Sequence, residues 1–434
     1  MPQALIESLD HEGKGVARVG GKTVFVDGAL PGERVEFASQ RRKPTYEFAV
    51  VERILAPSPY RAVPRCRYFG TCGGCAMQHL EFHAQTAIKQ RALEDALWHI
   101  ARLRPEQIYA AIEGPQWAYR HRARLSVRLV PRKGCVLIGF HERRSSYVAD
   151  MESCEVLPHA ISRLLLPLRQ LIGGLSVADR LPQVEVAVGD AVVVLVLRVL
   201  DTPDAGDEAA MREFAVRHRV MLYLQAGGPQ TARPFHPEAP EPLAYSLPEF
   251  GVRIAFMPTD FTQVNHAMNE VLVRRALQLL DARAGERVLE LFCGLGNFTL
   301  PIARGGAHVT AIEGNPALLG RARENAQANG LSARVRFVAG DLFALDEHVL
   351  AEFARQEKML IDPPREGAIE VVKALADGAP RRIVYVSCNP ATLARDAAVL
   401  VRQKGYRLRG AGILNMFPHT AHVESIACFD RDAQ

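Results

Sequence analysis

Arg287-Val288-Leu289-Glu290-Leu291-Phe292-Cys293-Gly294-Leu295-Gly296-Asn297-Phe298-Thr299 reads as a short apolar strand that runs into a glycine turn. Glycines at this point let a backbone pass close to a ligand at the carboxyl end of a strand. A dinucleotide fingerprint requires Gly or Ala at position 299, and Thr stands there, which argues against a dehydrogenase. Taken alone, the glycine pair is equally a plain tight turn. Its surroundings decide. From about residue 265 the chain alternates strand and helix patterns, with further strands predicted at 308–313, 335–339, 358–361 and 382–387 and a helix at 316–329. Regular alternation predicts an α/β fold with a parallel, doubly wound, Rossmann-like sheet.

Polar residues punctuate the carboxyl ends of these strands. Glu313 ends the second, where a carboxylate can accept both ribose hydroxyls of a nucleoside; a helix-capping role is the alternative. Asp341 follows the third, facing either an adenine edge or solvent. Asp362-Pro363-Pro364-Arg365 follows the fourth, where two prolines stiffen the turn. Cys388, in Val386-Ser387-Cys388-Asn389-Pro390, ends the fifth and precedes a helix expected near Thr392, whose N-terminus would favour thiolate. A buried structural cysteine is the alternative. Phe417-Pro418-His419-Thr420-Ala421-His422-Val423-Glu424 offers Glu424 as a general base if it shares a cleft with Cys388.

Upstream, residues 1–56 alternate apolar and polar positions between glycine turns, which predicts four or five short strands closing into a small barrel. Ala56-Pro57-Ser58-Pro59 looks like a linker. A helix is expected over about 80–104, with Leu93, Leu97, Ile100 and Leu103 on one stripe. Strands are expected at 123–130, 136–140, 184–188, 191–200 and 220–225, a helix near 160–172, and loops over 205–245, where Gly, Pro and acidic residues abound.

The 434 residues carry a net charge of only +5, yet 61–145 holds fifteen Lys and Arg against six Asp and Glu, interleaved with Tyr68, Phe69, Tyr119 and Phe140 and followed by Tyr147. Phosphate neutralisation and base stacking need that mixture, although a solvated surface has it too. No stretch is apolar enough to span a bilayer and the N-terminus lacks a signal-peptide pattern, so a cytoplasmic protein without membrane association is expected. Of eight cysteines, Cys66, Cys72 and Cys75 cluster as C-x5-C-x2-C. In a reducing compartment such clusters mean metal. Zinc and a 4Fe–4S cluster both accept four thiolates; a triplet plus one remote cysteine leans towards iron–sulfur. Spacing leaves Cys154 and Cys135 both open as the fourth ligand.

Together these motifs resemble the RNA uracil-5-methyltransferase (m5U) family, in its 23S rRNA branch that carries a TRAM domain and an iron–sulfur cluster. The resemblance spans nearly the whole chain. It rests on the cysteine triplet, Tyr119-Arg-His-Arg-Ala-Arg-Leu-Ser126, 150–157, Phe261-Thr-Gln263-Val-Asn265, Asp-Pro-Pro-Arg, Ser-Cys-Asn-Pro and His-Val-Glu. It implies a TRAM barrel over 1–57, a central, mostly β iron–sulfur domain over 58–250 and an S-adenosylmethionine-dependent methyltransferase domain over 251–434. The helix after Cys75 would pack on the last of these. Cys388 would be the nucleophile and Glu424 the base. Gln263, Phe292, Asn297, Glu313, Asp341 and Asp362 would line the S-adenosylmethionine and uracil pocket. Cys66, Cys72, Cys75 and Cys154 would hold the cluster, and the expected partner is 23S rRNA, bound by a monomer. The family commonly has Asp where this chain has Asn415, which predicts altered tuning of the C-terminal loop rather than lost activity. An RNA cytosine-5-methyltransferase would carry a second cysteine where Pro364-Arg365 stands. The family's tRNA branch generally lacks barrel and cluster cysteines, and a non-catalytic iron–sulfur RNA-binding protein would have no use for Cys388 with Glu424.

Overall fold

Val335–Ala339, His308–Glu313, Arg287–Leu291, Lys358–Ile361 and Arg382–Ser387 lie side by side in that order, all parallel. This computed structural model describes residues 1–353, 356–375 and 380–431; the end of the third expected domain, 432–434, lies outside the described residues. Ile383 and Tyr385 face one core while Val384 and Val386 face another, the period of two that a strand dictates. Helices cover both faces, so the strands are predominantly apolar. Two antiparallel strands that periodicity did not reveal, Glu424–Asp430 and Arg407–Leu414, extend the sheet.

The eighth strand comes from far upstream. Gln107–Ile108 pairs in parallel with Gly410 and Ala411. The helix before it, Phe82–His99, buries Leu93 and Leu97 in the core that also holds Leu393, Ala397 and Leu400 of the helix Pro390–Arg402. Each buried leucine is worth about 1.5–3 kcal/mol, so this helix belongs energetically to the eight-stranded sheet. The expected stripe is shorter than the sequence predicts. The helix stops at His99, Arg102 takes a left-handed φ of 52°, and Ile100 is exposed.

The N-terminal sheet has six strands rather than four or five, ending with Tyr46–Ala56. The central six-stranded sheet runs Arg233–His236, Met221–Gln225, Val193–Arg198, Gln183–Val188, Arg122–Val130, Cys135–Gly139. The expected loops over 205–245 give way to a helix in the first third and, further on, to the strand Arg233–His236. Ala205–His218 is a helix, started by a capping box in which Asp204 and Asp207 satisfy each other's backbone N–H. Its acidic start is a cap, not a loop signal. Among the described residues, no helix is long and apolar enough to cross a membrane.

Candidate active site

The carboxyl ends of the parallel strands gather the candidate residues along one edge. The glycine turn is tight: Phe292, Gly294 and Gly296 have φ of 62°, 55° and 94°. A side chain at Gly296 would also come within 3.2 Å of Leu300. For Phe292, a non-glycine, that conformation costs on the order of 1 kcal/mol. Its ring, half-buried, packs 5.7 Å from Phe343. Glu313 ties the turn to the next strand, Oε2 accepting from Gly294 N at 3.0 Å and Oε1 from Asn315 N at 2.8 Å. Asp341 Oδ1 caps its own turn by accepting from Phe343 N at 2.8 Å. Gln263 is half-buried beside the exposed Phe261.

Asn297 turns inward. Its amide exchanges two hydrogen bonds of 2.9 Å with Asn269 and accepts a third, also 2.9 Å, from the Tyr245 hydroxyl. The side chain therefore holds the turn in place from behind.

Cys388 and Glu424 come together through strand register. Ser387 pairs with Ser425 across antiparallel strands, so the next position along sets Cys388 opposite Glu424. The helix after Cys388 begins at Pro390, two residues earlier than expected, with Asn389 as its cap. The Asn389 amide and the Thr392 hydroxyl both donate to Arg365 O, at 3.2 and 3.3 Å, which joins the Asp362 turn to the Cys388 turn.

Burial dominates the electrostatics. It pushes the Cys388 thiol up to about 11, helped by the nearby carboxyls of Glu424 and Asp362. It raises Asp362 to about 7. It holds Glu424, 3% exposed and facing Asp362, well above the ordinary carboxylate range. Sequence reasoning passed over Glu290, which lies inside the first strand, 1% exposed; burial, with Asp362 and Glu313 nearby, raises it to about 8. An acidic residue inside an otherwise apolar strand was the available signal.

The second cluster lies apart. Cys66, Cys72, Cys75 and Cys154 line one small cavity walled by Phe69, Phe140, Met151 and Val156. Burial raises all four thiols, Cys75 to about 12 and Cys154 to about 11, and the thiols raise one another. Cys135 is not among the cavity's lining residues and sits beside Arg169 on a strand.

Residues 251–431 match the family described as tRNA (Uracil-5-)-methyltransferase, and residues 3–38 match the TRAM domain. The 23S rRNA (uracil(1939)-C(5))-methyltransferase RlmD of Aromatoleum aromaticum is 61% identical, covering 100% of both chains. The protein of the same name from Dechloromonas aromatica is 58% identical over 99% of this chain and 100% of its own. Among solved structures, the Pyrococcus abyssi tRNA (uracil-54, C5)-methyltransferase in complex with S-adenosyl-L-homocysteine aligns with a TM-score of 0.74 over 99% of this chain and 100% of that one. At 23% identity that likeness speaks for the fold alone. On the near-complete match to the two bacterial proteins, this chain belongs to the family of RNA uracil-C5-methyltransferases that contains them.

Proposed function

We propose that this protein methylates carbon 5 of a uridine in 23S rRNA, at the position its relatives are named for, with Cys388 as nucleophile and Glu424 as base. The observation that carries the reading is the facing pair itself: one thiol and one buried carboxyl opposite each other at the ligand-binding edge of the sheet. Carbon 5 of uracil is a weak nucleophile. The Cys388 thiolate adds to carbon 6, the displaced electrons form an enolate, and carbon 5 becomes nucleophilic. S-adenosylmethionine supplies, when bound, an electrophilic methyl group on a positively charged sulfur. Glu424 then takes the carbon 5 proton, the C5–C6 double bond re-forms, and the Cys388 sulfur leaves. To reach Cys388 the uracil must leave its stack.

The chain's own residues suit a cationic cofactor. Glu290, Asp362 and Glu424 are carboxyls whose pKa burial raises above the ordinary carboxylate range. A positive charge beside them favours their ionised forms and the Cys388 thiolate, so binding arms base and nucleophile together. Gln263, Phe292, Glu313, Asp341 and Asp362, with the turn that Asn297 braces, are the residues assigned to that pocket. Mapping methylated nucleotides in RNA from cells with and without the gene tests the function. One 23S uridine should lose its methyl group; if rRNA is unchanged, or only tRNA changes, the reading fails.

The cavity thiols Cys66, Cys72, Cys75 and Cys154 are assigned to a 4Fe–4S cluster, which braces loops and takes no part in methyl transfer. An all-sulfur donor set with apolar walls suits it. Protein purified without oxygen should contain iron and sulfide in equal amounts, and Cys75→Ala should lose both and melt at lower temperature. Full iron content in that variant would remove Cys75 from the ligand set.

A further inference from the structure

The loop that leads to Glu424 is held along its length by groups from outside its own strands. Four consecutive carbonyls each receive a donor. Met416 O accepts from Asn265 Nδ2 at 3.2 Å, and Phe417 O from Lys89 Nζ at 2.8 Å. Pro418 O accepts from the Tyr119 hydroxyl at 2.8 Å. His419 O accepts from the backbone N–H of Ala76 and Met77, at 2.8 and 3.0 Å. Those last two residues follow Cys75 directly. His419 itself has a left-handed φ of 65°, and its ring stacks 4.0 Å from Trp117. A strained residue held from every side marks a conformation that the surroundings impose.

Gln85 is the joint of this assembly. It lies on the helix Phe82–His99, wholly buried. Its Oε1 accepts from His419 N at 2.9 Å, while its Nε2 donates to Met77 O at 3.1 Å and Leu80 O at 2.8 Å. One amide thus bonds the loop of the base and the loop of the clustered cysteines. A buried amide satisfied on both ends fixes the two segments relative to each other, and removing it leaves the His419 N–H without its partner.

We infer that Gln85 is a positioning residue for Glu424, setting where the base stands by clamping the His419 turn to the cysteine loop. The inference rests on Glu424 being the base that removes the carbon 5 proton. A shift of about 1 Å at a catalytic group costs about a hundredfold in rate. That loss should fall on the elimination step alone, because Cys388 sits on a different strand end and its addition to carbon 6 does not need Glu424.

The test compares full-length holoenzyme with Gln85→Ala, Tyr119→Phe and Glu424→Gln on the same RNA fragment and S-adenosylmethionine. Gln85→Ala should turn over about a hundredfold more slowly with KM for RNA within about threefold of wild type. It should also accumulate a methylated protein–RNA adduct that survives denaturing gels. Tyr119→Phe, which deletes a single hydroxyl, should shift in the same direction by less and guards against a misfolded Gln85 variant. Wild-type turnover in both variants, or slow turnover without adduct while Glu424→Gln does trap it, overturns the positioning role. If Glu424→Gln itself traps no adduct, the fault lies in the assignment of the base instead.

Discussion

Cys388→Ala should abolish methyl transfer, lowering the single-turnover rate by on the order of 10⁴-fold or more, as deletion of an attacking atom does elsewhere. Cys293, within the glycine turn, is buried at 3% exposure and so is poorly placed to take over. The fold should be indifferent, because Cys388 is only half-buried and loses one sulfur atom. Melting temperature and cofactor binding are therefore expected close to wild type. Tritium transfer from labelled S-adenosylmethionine to 23S rRNA is the measurement, and equal label in the two proteins would end the nucleophile assignment. In the wild type, kcat/KM should rise with pH through the neutral range, since the thiol is pushed up to about 11 and each unit of pH below that raises its thiolate fraction about tenfold.

Glu424→Gln should have the second largest effect and a different signature. The carboxyl is 3% exposed and burial beside Asp362 holds its pKa well above the ordinary carboxylate range, so an amide of the same shape fits with little loss of stability. Addition and methylation proceed, but the carbon 5 proton has no acceptor. Turnover should fall by about 10²–10⁴-fold, the range a positioned base contributes. A covalent complex carrying both RNA and the transferred methyl group should build up on denaturing gels. Normal turnover, or failure to add at all, would place the base elsewhere.

Much of this was legible in the sequence, for definable reasons. The five parallel strands were, because burial on both faces leaves continuous apolar runs such as Ile383 to Val386. Cys388 stood out because it interrupts the pattern at a strand end, and Glu424 because it closes the stretch Phe417 to Glu424, although the strand it begins was not visible. The helix Ala205–His218 was hidden because its buried side comprises only Asp207, Met211, Phe214 and Ala215, too few to outweigh its charged residues. The inward bonds of Asn297 were not legible, because its amide pairs with Asn269 and Tyr245, 28 and 52 positions away, and no local pattern reports such a pairing. Gln85 was less visible still. A glutamine on a helix is ordinary until its partner proves to be His419, 334 residues further on.

The edge strand Gln107–Ile108 ties the order of synthesis to the order of assembly. Its partner, Arg407–Leu414, leaves the ribosome about 300 residues later. At about 5–20 residues per second, the segment waits for roughly 15–60 s with the apolar side of the preceding helix uncovered. The half that is made first thus cannot finish folding until the half made last has emerged. The nascent protein is for that interval a client for whatever shields exposed Leu93 and Leu97, and its methyltransferase core is not a module that can be cut at the middle of the chain and moved.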